Sequence, residues 1–401
     1  MKTFDDALSY LLSKAISTTS TEKMPLESAL GRILAEDIVS QLNVPPHHNS
    51  MMDGYAVRVA DIQADKTLRI SQRIAAGVVG QSLETGTVAR IFTGAPVPEG
   101  ADAVIMQEEA TEVEGGVKFS VDSIVRNQNI RHIGEDIASG DVILSKGQRL
   151  RAQDLGLIAS IGIASISVYQ RLRVATFSTG SELLEPSEQP ESGKIYNANR
   201  YMLSGLIPQL GLELIDLGRI PDSLEATIDA LTQAASVADV VVTTGGVSVG
   251  DEDYIKPAVE HLGQLDLWKV KMKPGKPLAY GKVAGKPFIG LPGNPVSAFT
   301  TFHLFARPFL LTMQGQAKVL PTPIWLTAGF DWPKPGFRRE FVRAKLKNVG
   351  QHTEVTLFPN QGSGILTSAV WADGLAIIPE DSTLSKGDLV AYYALNTQEG
   401  A

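Results

Sequence analysis

The sequence predicts an α/β core flanked by β-rich segments, and three observations carry this expectation. Residues 171–312 alternate strand-like and helix-like stretches, the pattern of repeated βα units and of a doubly wound, mostly parallel sheet. Residues from about 43 to 147 are instead short strands and turns, dense in glycine and β-branched residues, as in a β-rich insertion with its own small core. From about Pro321 the pattern turns β again and reads as a small barrel or sandwich.

Composition sets the outer bounds. A chain of 401 residues, 43% hydrophobic, is long enough for two to four domains with real cores. A net charge of −8 argues against nucleic acid or an acidic membrane as a bulk partner, so any anion site must be local. Cysteine is absent, which removes disulfides, thiolate metal sites and cysteine nucleophiles. The six histidines (His47, His48, His132, His261, His303 and His352) show no metal-ligand spacing. The N-terminal stretch MKTFDDALSYLLSKA carries Asp5 and Asp6 and reads as an amphipathic helix, not a signal peptide. No window approaches the ~20 apolar residues of a membrane span. The expectation is a soluble, cytoplasmic protein.

Taken in order, residues 3–17 and 25–39 have helical spacing, with Phe4, Ala7, Leu8, Leu11 and Leu12 on one stripe. Pro45 and Pro46 then force an extended approach to Asp53-Gly54, a turn before the strand Tyr55-Ala56-Val57. IFTGAPVPEGAD, from Ile91, is an irregular loop with Thr93 just after a strand. NIRHIGEDIASGD, from Asn129, follows another strand and holds Glu135 and Asp136. Residues 152–161 form a short helix, and composition shifts at Arg171. Helices are then expected from Asn197, Asp222, Tyr254 and Pro295, with strands and a hairpin between them. Beyond residue 321, FRREFVRAKL, FPNQGSGILTSA and GLAIIPEDSTLSKGDLVAYYAL look like strands.

A parallel sheet binds ligands beyond the carboxyl ends of its strands. Four loops belong there: Ser178–Glu182, Gly218–Asp222, Thr243–Asp253 and Leu291–Ser297. The third lies in ADVVVTTGGVSVGDEDY, where a buried-strand run stops at Gly245 and Gly246. Glycines let the backbone turn sharply and bring its N–H groups to a phosphate, and the acids that follow would suit a divalent cation. A solvated turn before the helix near Tyr254 is the alternative. In LPGNPVSAF, which holds Pro292, Gly293 and Asn294, Asn294 is a favoured N-cap and Pro295 fits the first helical position. Ser297 then sits beside free N–H groups, a ready anion site, although capping alone would account for the pattern. In LWKVKMKPGKP, Lys269, Lys271 and Lys273 alternate with apolar residues and would share one strand face, which calls for an anion opposite or a solvated edge. Asp222 opens DSLE, close to a capping box, and Glu182 is a first-turn acid; either can be purely local. Arg343 and Ser363 are unremarkable by themselves.

Seven stretches, MMDGYAV, FTGAPVPEGADAV, NIRHIGEDI, FSTGSEL, TTGGVSVGDEDY, KMKPGKP and LPGNPVSA, together resemble the signature blocks of the molybdopterin molybdenumtransferase family (MoeA, and the E domain of gephyrin-type proteins). The resemblance runs in order from about residue 3 to 395. It implies four domains in an elongated homodimer: a small α+β linking domain (1–42 and 141–170), the β-rich insertion (43–140), an α/β molybdopterin-binding domain (171–318) and a C-terminal β-barrel-like domain (319–401). It further implies insertion of molybdenum from molybdate into adenylylated molybdopterin, with Mg²⁺ and release of AMP. The substrate would come from a molybdopterin adenylyltransferase. Matched by motif, the functional positions are Asp53, Thr93, Asp136, Glu182, Asp222, Asp253, Lys269, Lys273, Arg343 and Ser363. Glu182, Asp222 and Asp253 are the Mg²⁺ candidates; Gly245, Gly246, Ser248, Pro292, Gly293, Asn294 and Ser297 would hold the substrate. Lys273, Arg343, Ser363 and Ser297 would hold molybdate, and Asp53 and Thr93 would lie near the pterin or its phosphate. The chain departs from the family pattern at Ser181, where an acid is usual, and at His47, His48 and Met51. Two other readings remain: an adenylyltransferase with appended domains, and a non-catalytic scaffold.

Overall fold

The computed structural model describes residues 1–18, 20–120, 124–246 and 254–395. Its first element, the helix Phe4–Lys14, is capped by Thr3, whose hydroxyl accepts from the Asp6 N–H at 3.1 Å. Acids in the first turn and Lys14 in the last complement the helix dipole. The buried stripe Phe4, Ala7 and Leu11 joins the largest apolar cluster, with the Phe4 ring 5.1 Å from Phe305 and 4.9 Å from Phe341. The expected amphipathic helix is thus a wedge between the α/β core and the C-terminal barrel.

Residues 25–39 are not helical. Thr21–Pro25 is a strand paired with Ser165–Tyr169, followed by a 3₁₀ turn at Leu26–Ser28 and a short strand at Ile38–Val39. Gly31 sits at φ +74°, which interrupts any helix. Leu26, Ala29, Leu34 and Ile38 are buried as the spacing implied, but from extended backbone that packs on the helix Ala152–Ser160.

The insertion is a four-stranded sheet in the order Arg69–Ile74, Thr87–Ile91, Gly54–Val57, Ala103–Met106. Alternation along the strands divides its apolar residues between two faces. Tyr55, Val57, Val88, Ala103 and Ile105 pack on one side; Ala56, Ala89, Ile91 and Val104 pack on the other. Gly54 lies where a Cβ would come within 1.9 Å of the Ile105 carbonyl oxygen, so only glycine lets the strands close at that point.

The α/β sheet has six strands in the order Glu213–Arg219, Arg173–Ser178, Val240–Thr244, Lys286–Leu291, Pro277–Val283, Gly263–Lys269. The first four are parallel, and the hairpin Pro277–Leu291 supplies the antiparallel edge. Val240 and Val242 face the cluster that includes Phe302 and Phe309, while Val241 faces Leu231 and Val259. The strand is thus buried on both faces, as its continuous β-branched run predicts. The four predicted loops leave the carboxyl ends of the four parallel strands, on one edge of the sheet.

C-terminal strands Arg339–Val349, His352–Leu357, Ile324–Ala328, Leu389–Ala394 and Gly374–Ile378 pair in that order, and the last pairs back to the first to close a five-stranded barrel. Residues 358–369, expected as a strand, form a loop and the helix Leu366–Trp371. The loop replaces ladder pairing with a side chain: Gln361 accepts from the Arg343 N–H at 2.9 Å and donates to the Arg343 carbonyl at 3.0 Å. For Gly54, substitution by alanine forces a backbone shift against a carbonyl, and destabilisation by at least ~2 kcal/mol is expected in thermal or urea unfolding. An unchanged unfolding midpoint would contradict the close approach.

Candidate active site

The site is built from the sheet edge outward. Gly245 and Gly246 turn the chain at φ +81° and +67°, and the Gly245 N–H donates to the Leu291 carbonyl at 3.0 Å. Gly293 lies directly against Gly245. The two glycine turns therefore form one continuous floor beyond adjacent strands. Ser248 and Asp253, with their neighbours Asp251 and Glu252, lie outside the described residues.

Pro292 is buried beneath that floor, while Gly293 and Asn294 are exposed. Asn199, at the start of the helix Ala198–Gln209, donates from Nδ2 to the Gly293 carbonyl at 2.7 Å and fixes the turn. Asn294 has the extended backbone of an N-cap, but its side chain makes no capping bond to the helix Pro295–Thr301. The Val296 N–H donates instead to the Ser363 carbonyl at 2.9 Å. The helix end is thus not the free anion cradle the sequence suggested: part of it is committed to the C-terminal barrel. What this arrangement does achieve is to fix the Ser363 backbone to the first turn of the helix that carries Ser297, itself only 4% exposed.

The lysine run also differs from expectation. The edge strand ends at Lys269, the Met272 N–H folds back onto the Val270 carbonyl at 2.8 Å, and Met272–Lys273 joins the barrel beside Arg339–Glu340. Lys269 and Lys273 therefore belong to two different sheets and do not share one strand face with Lys271. Val270 and Met272 remain fully buried, so the apolar half of the alternation holds. After Lys273, Gly275 at φ +95° packs so closely on the helix Pro295–Thr301 that a Cβ would meet the Thr301 hydroxyl at 2.3 Å. Lys273 is placed between barrel and helix by that contact. Its Nζ lies 3.0 Å from Glu340 Oε2.

Arg343 is fully buried. Its Nε donates to Ser368 Oγ at 3.0 Å and Nη2 donates to the Gly362 carbonyl at 3.2 Å, while Nη1 has no partner. Burial pulls the guanidinium down to about 10, and the Glu340 carboxylate acts in the opposite direction. A buried, partly unsatisfied cation beside the Ser363 loop is what an oxyanion pocket requires. Among sequence-predicted residues, Lys273, Arg343, Ser363, Ser297 and Pro292–Asn294 are thus brought together.

The acids divide into two groups. Glu182 is exposed and its carboxylate lies over Gly180; Asp222 is half-buried on the loop of the neighbouring strand. The capping of the helix Leu224–Val237 falls to Ser223, whose hydroxyl accepts from the Ala226 N–H at 3.3 Å. Asp222 is therefore not the cap, and the local explanation for it disappears. In the insertion, Asp53 Oδ1 accepts from the Thr93 N–H at 2.8 Å and the Thr93 hydroxyl at 2.7 Å. These bonds hold the Asp53 carboxyl below its ordinary range. Asp136 is exposed nearby, with its N–H donating to the Val44 carbonyl at 3.0 Å. The hydrogen bonds of Asp53 with Thr93 and of Asp136 with Val44 lie within the insertion.

Three family descriptions cover the chain: the MoeA N-terminal region (domains I and II) over residues 2–162, a probable molybdopterin-binding domain over 175–312, and the MoeA C-terminal region (domain IV) over 326–395. A molybdopterin molybdenumtransferase of Haemophilus influenzae is 41% identical over 401 residues and 99% of both chains. The chain belongs to the MoeA family. A second such relative, from Staphylococcus aureus (strain MSSA476), is 36% identical over 365 residues, spanning 89% of this chain and 87% of its own. The crystal structure of the molybdopterin biosynthesis moeA protein from Pyrococcus horikoshii OT3 superposes with a TM-score of 0.85 at 32% identity, covering 98% of this chain and 100% of that one.

In this MoeA-family chain, sequence reasoning missed Glu340, Gln361, Ser368 and Asn199. Glu340 stands out in RREFVR as one acid among three arginines, a local signal that charge pairing was at stake. Gln361 and Ser368 act through the backbone and guanidinium of Arg343, which no spacing rule reveals. The Asp53–Thr93 pair yields a direct test. Its depressed pKa means that stability from the carboxylate is present above the ordinary carboxylate pKa and lost as pH falls through the lowered one. Replacing Thr93 by valine removes the hydroxyl donor and keeps the N–H. The Asp53 titration, followed by NMR, is expected to move up toward the ordinary carboxylate value, and no movement would refute the assigned pair.

Proposed function

We propose that this chain is a molybdopterin molybdenumtransferase that inserts molybdenum from molybdate into adenylylated molybdopterin and releases AMP in an Mg²⁺-dependent step. The observation that carries this reading is the assembly of Lys273, Arg343 and Ser363 against the Pro292–Ser297 turn, at the sheet edge where the two glycine turns meet. Full-length likeness to relatives named for that activity supports it. The adenylyltransferase alternative would leave the matched N-terminal and C-terminal regions without a role.

The residues divide the work by charge. Molybdate is a tetrahedral dianion, and the buried Arg343 and Ser297 together with the more exposed Lys273 and Ser363 offer it cationic and neutral donors. The glycine floor of Gly245, Gly246 and Gly293 lets backbone approach the phosphates of the adenylylated substrate. Lys269, at the end of the edge strand two places along the sheet, adds positive charge on the same edge. Glu182 and Asp222 offer hard oxygen donors on neighbouring loops, and among the described residues no group of three or more acids or histidines converges. That donor set fits Mg²⁺, which takes one or two carboxylates and completes its shell with water and substrate phosphate; Asp253 is the third candidate. The ion would supply neutralisation of charge developing on the phosphoanhydride as it is cleaved.

Asp53, Thr93 and Asp136 require a second subunit to reach this edge, and a homodimer with sites shared between subunits is the arrangement we propose. Its supporting observation is that their bonding stays within the insertion. The same reading divides the chain into 1–42 with 141–170, 43–140, 171–318 and 319–401; the insertion and the barrel each have an apolar cluster of their own, while the largest cluster joins the N-terminal helix, the α/β domain and the barrel. No helix among the described residues is long and apolar enough to cross a membrane. We take the enzyme to act in the cytoplasm on substrate handed over by an adenylyltransferase.

Purified protein incubated with adenylylated molybdopterin, molybdate and Mg²⁺ should release AMP and yield active cofactor; absence of AMP release would sink the assignment. Asp53→Asn should abolish turnover while changing stability by no more than ~1 kcal/mol, since the side chain is exposed. If the site spans subunits, equimolar Asp53→Asn and Arg343→Met protomers, refolded together, should recover about a quarter of wild-type activity, as expected for random C₂ pairing with one intact site per mixed dimer. No recovery would place all these residues in one subunit.

A further inference from the structure

The oxyanion pocket contains an anion of its own. Glu340 is 9% exposed, its carboxylate lies 3.0 Å from Lys273 Nζ, and the two residues are register partners on adjacent parallel strands. The pairing is enforced from several sides. Gly336 packs against Glu340 so closely that a Cβ there would stand 3.0 Å from Oε1. Gly275 fixes the Lys273 turn against the helix Pro295–Thr301. The other basic groups of the segment are engaged elsewhere: Arg339 pairs with Asp5 and Glu380, and Arg338 donates to the Met272 carbonyl at 3.4 Å. Lys273 is therefore the cation that Glu340 holds, and Arg343 is the other cation within its electrostatic reach.

We propose that Glu340 is the affinity-setting residue of this pocket: its carboxylate holds Lys273 as an internal counter-anion with which an incoming tetrahedral oxyanion must compete. The inference rests on the reading of Lys273 and Arg343 as the oxyanion pocket. Two physical points carry it. Arg343 is fully buried and Lys273 about half-exposed, so the pair keeps only part of its hydration, and one carboxylate offsets part of its charge while no oxyanion is bound. The same carboxylate repels a dianion arriving at the far side of Lys273, so it weakens binding and keeps it reversible. Charge at the three groups sums to +1 with Glu340 and +2 without it. Glu340 acts on the substrate through Lys273 and touches no reacting atom, so its role is positioning and tuning, not catalysis.

Isothermal titration of the full-length protein with sodium molybdate, and separately with sodium sulfate, tests this. Glu340→Gln, which keeps the shape and removes the charge, is expected to bind both anions about tenfold more tightly than wild type, whereas Glu340→Asp, which keeps the charge, stays within about twofold. A purely structural role would instead weaken binding in both variants in step with lost thermal stability, which is measured on the same samples. Equal or weaker binding by Glu340→Gln, including no binding by either protein, overturns the proposal. If Glu340→Gln does not fold, Glu340→Met as an uncharged replacement of similar volume carries the same expectation. Turnover separates the two readings. AMP release by wild type with no tightening in Glu340→Gln rejects this inference alone, while tightening without any AMP release rejects the molybdenum-insertion reading alone.

Discussion

One chain reversal makes the pocket possible. The edge strand of the α/β sheet ends at Lys269, and within four residues the backbone has turned and paired Met272–Lys273 with the barrel. Two independently packed sheets are thereby fixed to each other by backbone hydrogen bonds and not by side chains alone. Everything that faces Lys273 inherits that alignment: Glu340 from the barrel strand, the helix Pro295–Thr301 from the α/β core, and the Ser363 loop between them. Loops on separate domains usually hold a site with the imprecision of a domain interface. Here the interface is part of a sheet, which gives a rigid frame to charges that must be placed closely.

Arg343 shows what that frame has to support. A guanidinium with no exposed surface survives because Ser368, the Gly362 carbonyl and the Gln361 amide surround its strand. The remaining nitrogen is left without a partner. Such a group costs stability in the empty protein, and proteins carry that cost where a ligand repays it.

Much of this was readable in the sequence. Alternating βα patterning gave the doubly wound sheet, and the strand Val240–Thr244 was buried on both faces as its composition requires. The carboxyl-edge rule then collected the loops after Ser178, Arg219 and Leu291, and the start of the one after Thr244, without any contact information. What failed did so for identifiable reasons. Residues 25–39 have apolar residues at helical intervals, but Gly31 and pairing with residues 148–169 override that period. The loop 358–365 looked like a strand because β-propensity cannot anticipate a glutamine side chain standing in for a neighbouring backbone. DSLE offered a capping role that could account for Asp222 locally when Ser223 does the capping, and the Lys269–Lys273 alternation hid a change of sheet. Boundaries and tertiary partners were lost in these cases.

The N-terminal helix has a consequence for how the protein is made. Asp5 pairs with Arg339 across a separation of 334 residues, and Phe4 packs on Phe341. Lys2 also brackets the lysine turn, with its N–H donating to the Lys269 carbonyl and its carbonyl accepting from Lys271. Ribosomes deliver ~5–20 residues per second, so the first helix emerges on the order of 20–70 seconds before the barrel strand against which it docks. During that interval the barrel side of its apolar stripe has no native cover. The earliest segment to be synthesised is among the last to reach its final place, and the pocket it braces is completed only near the end of translation.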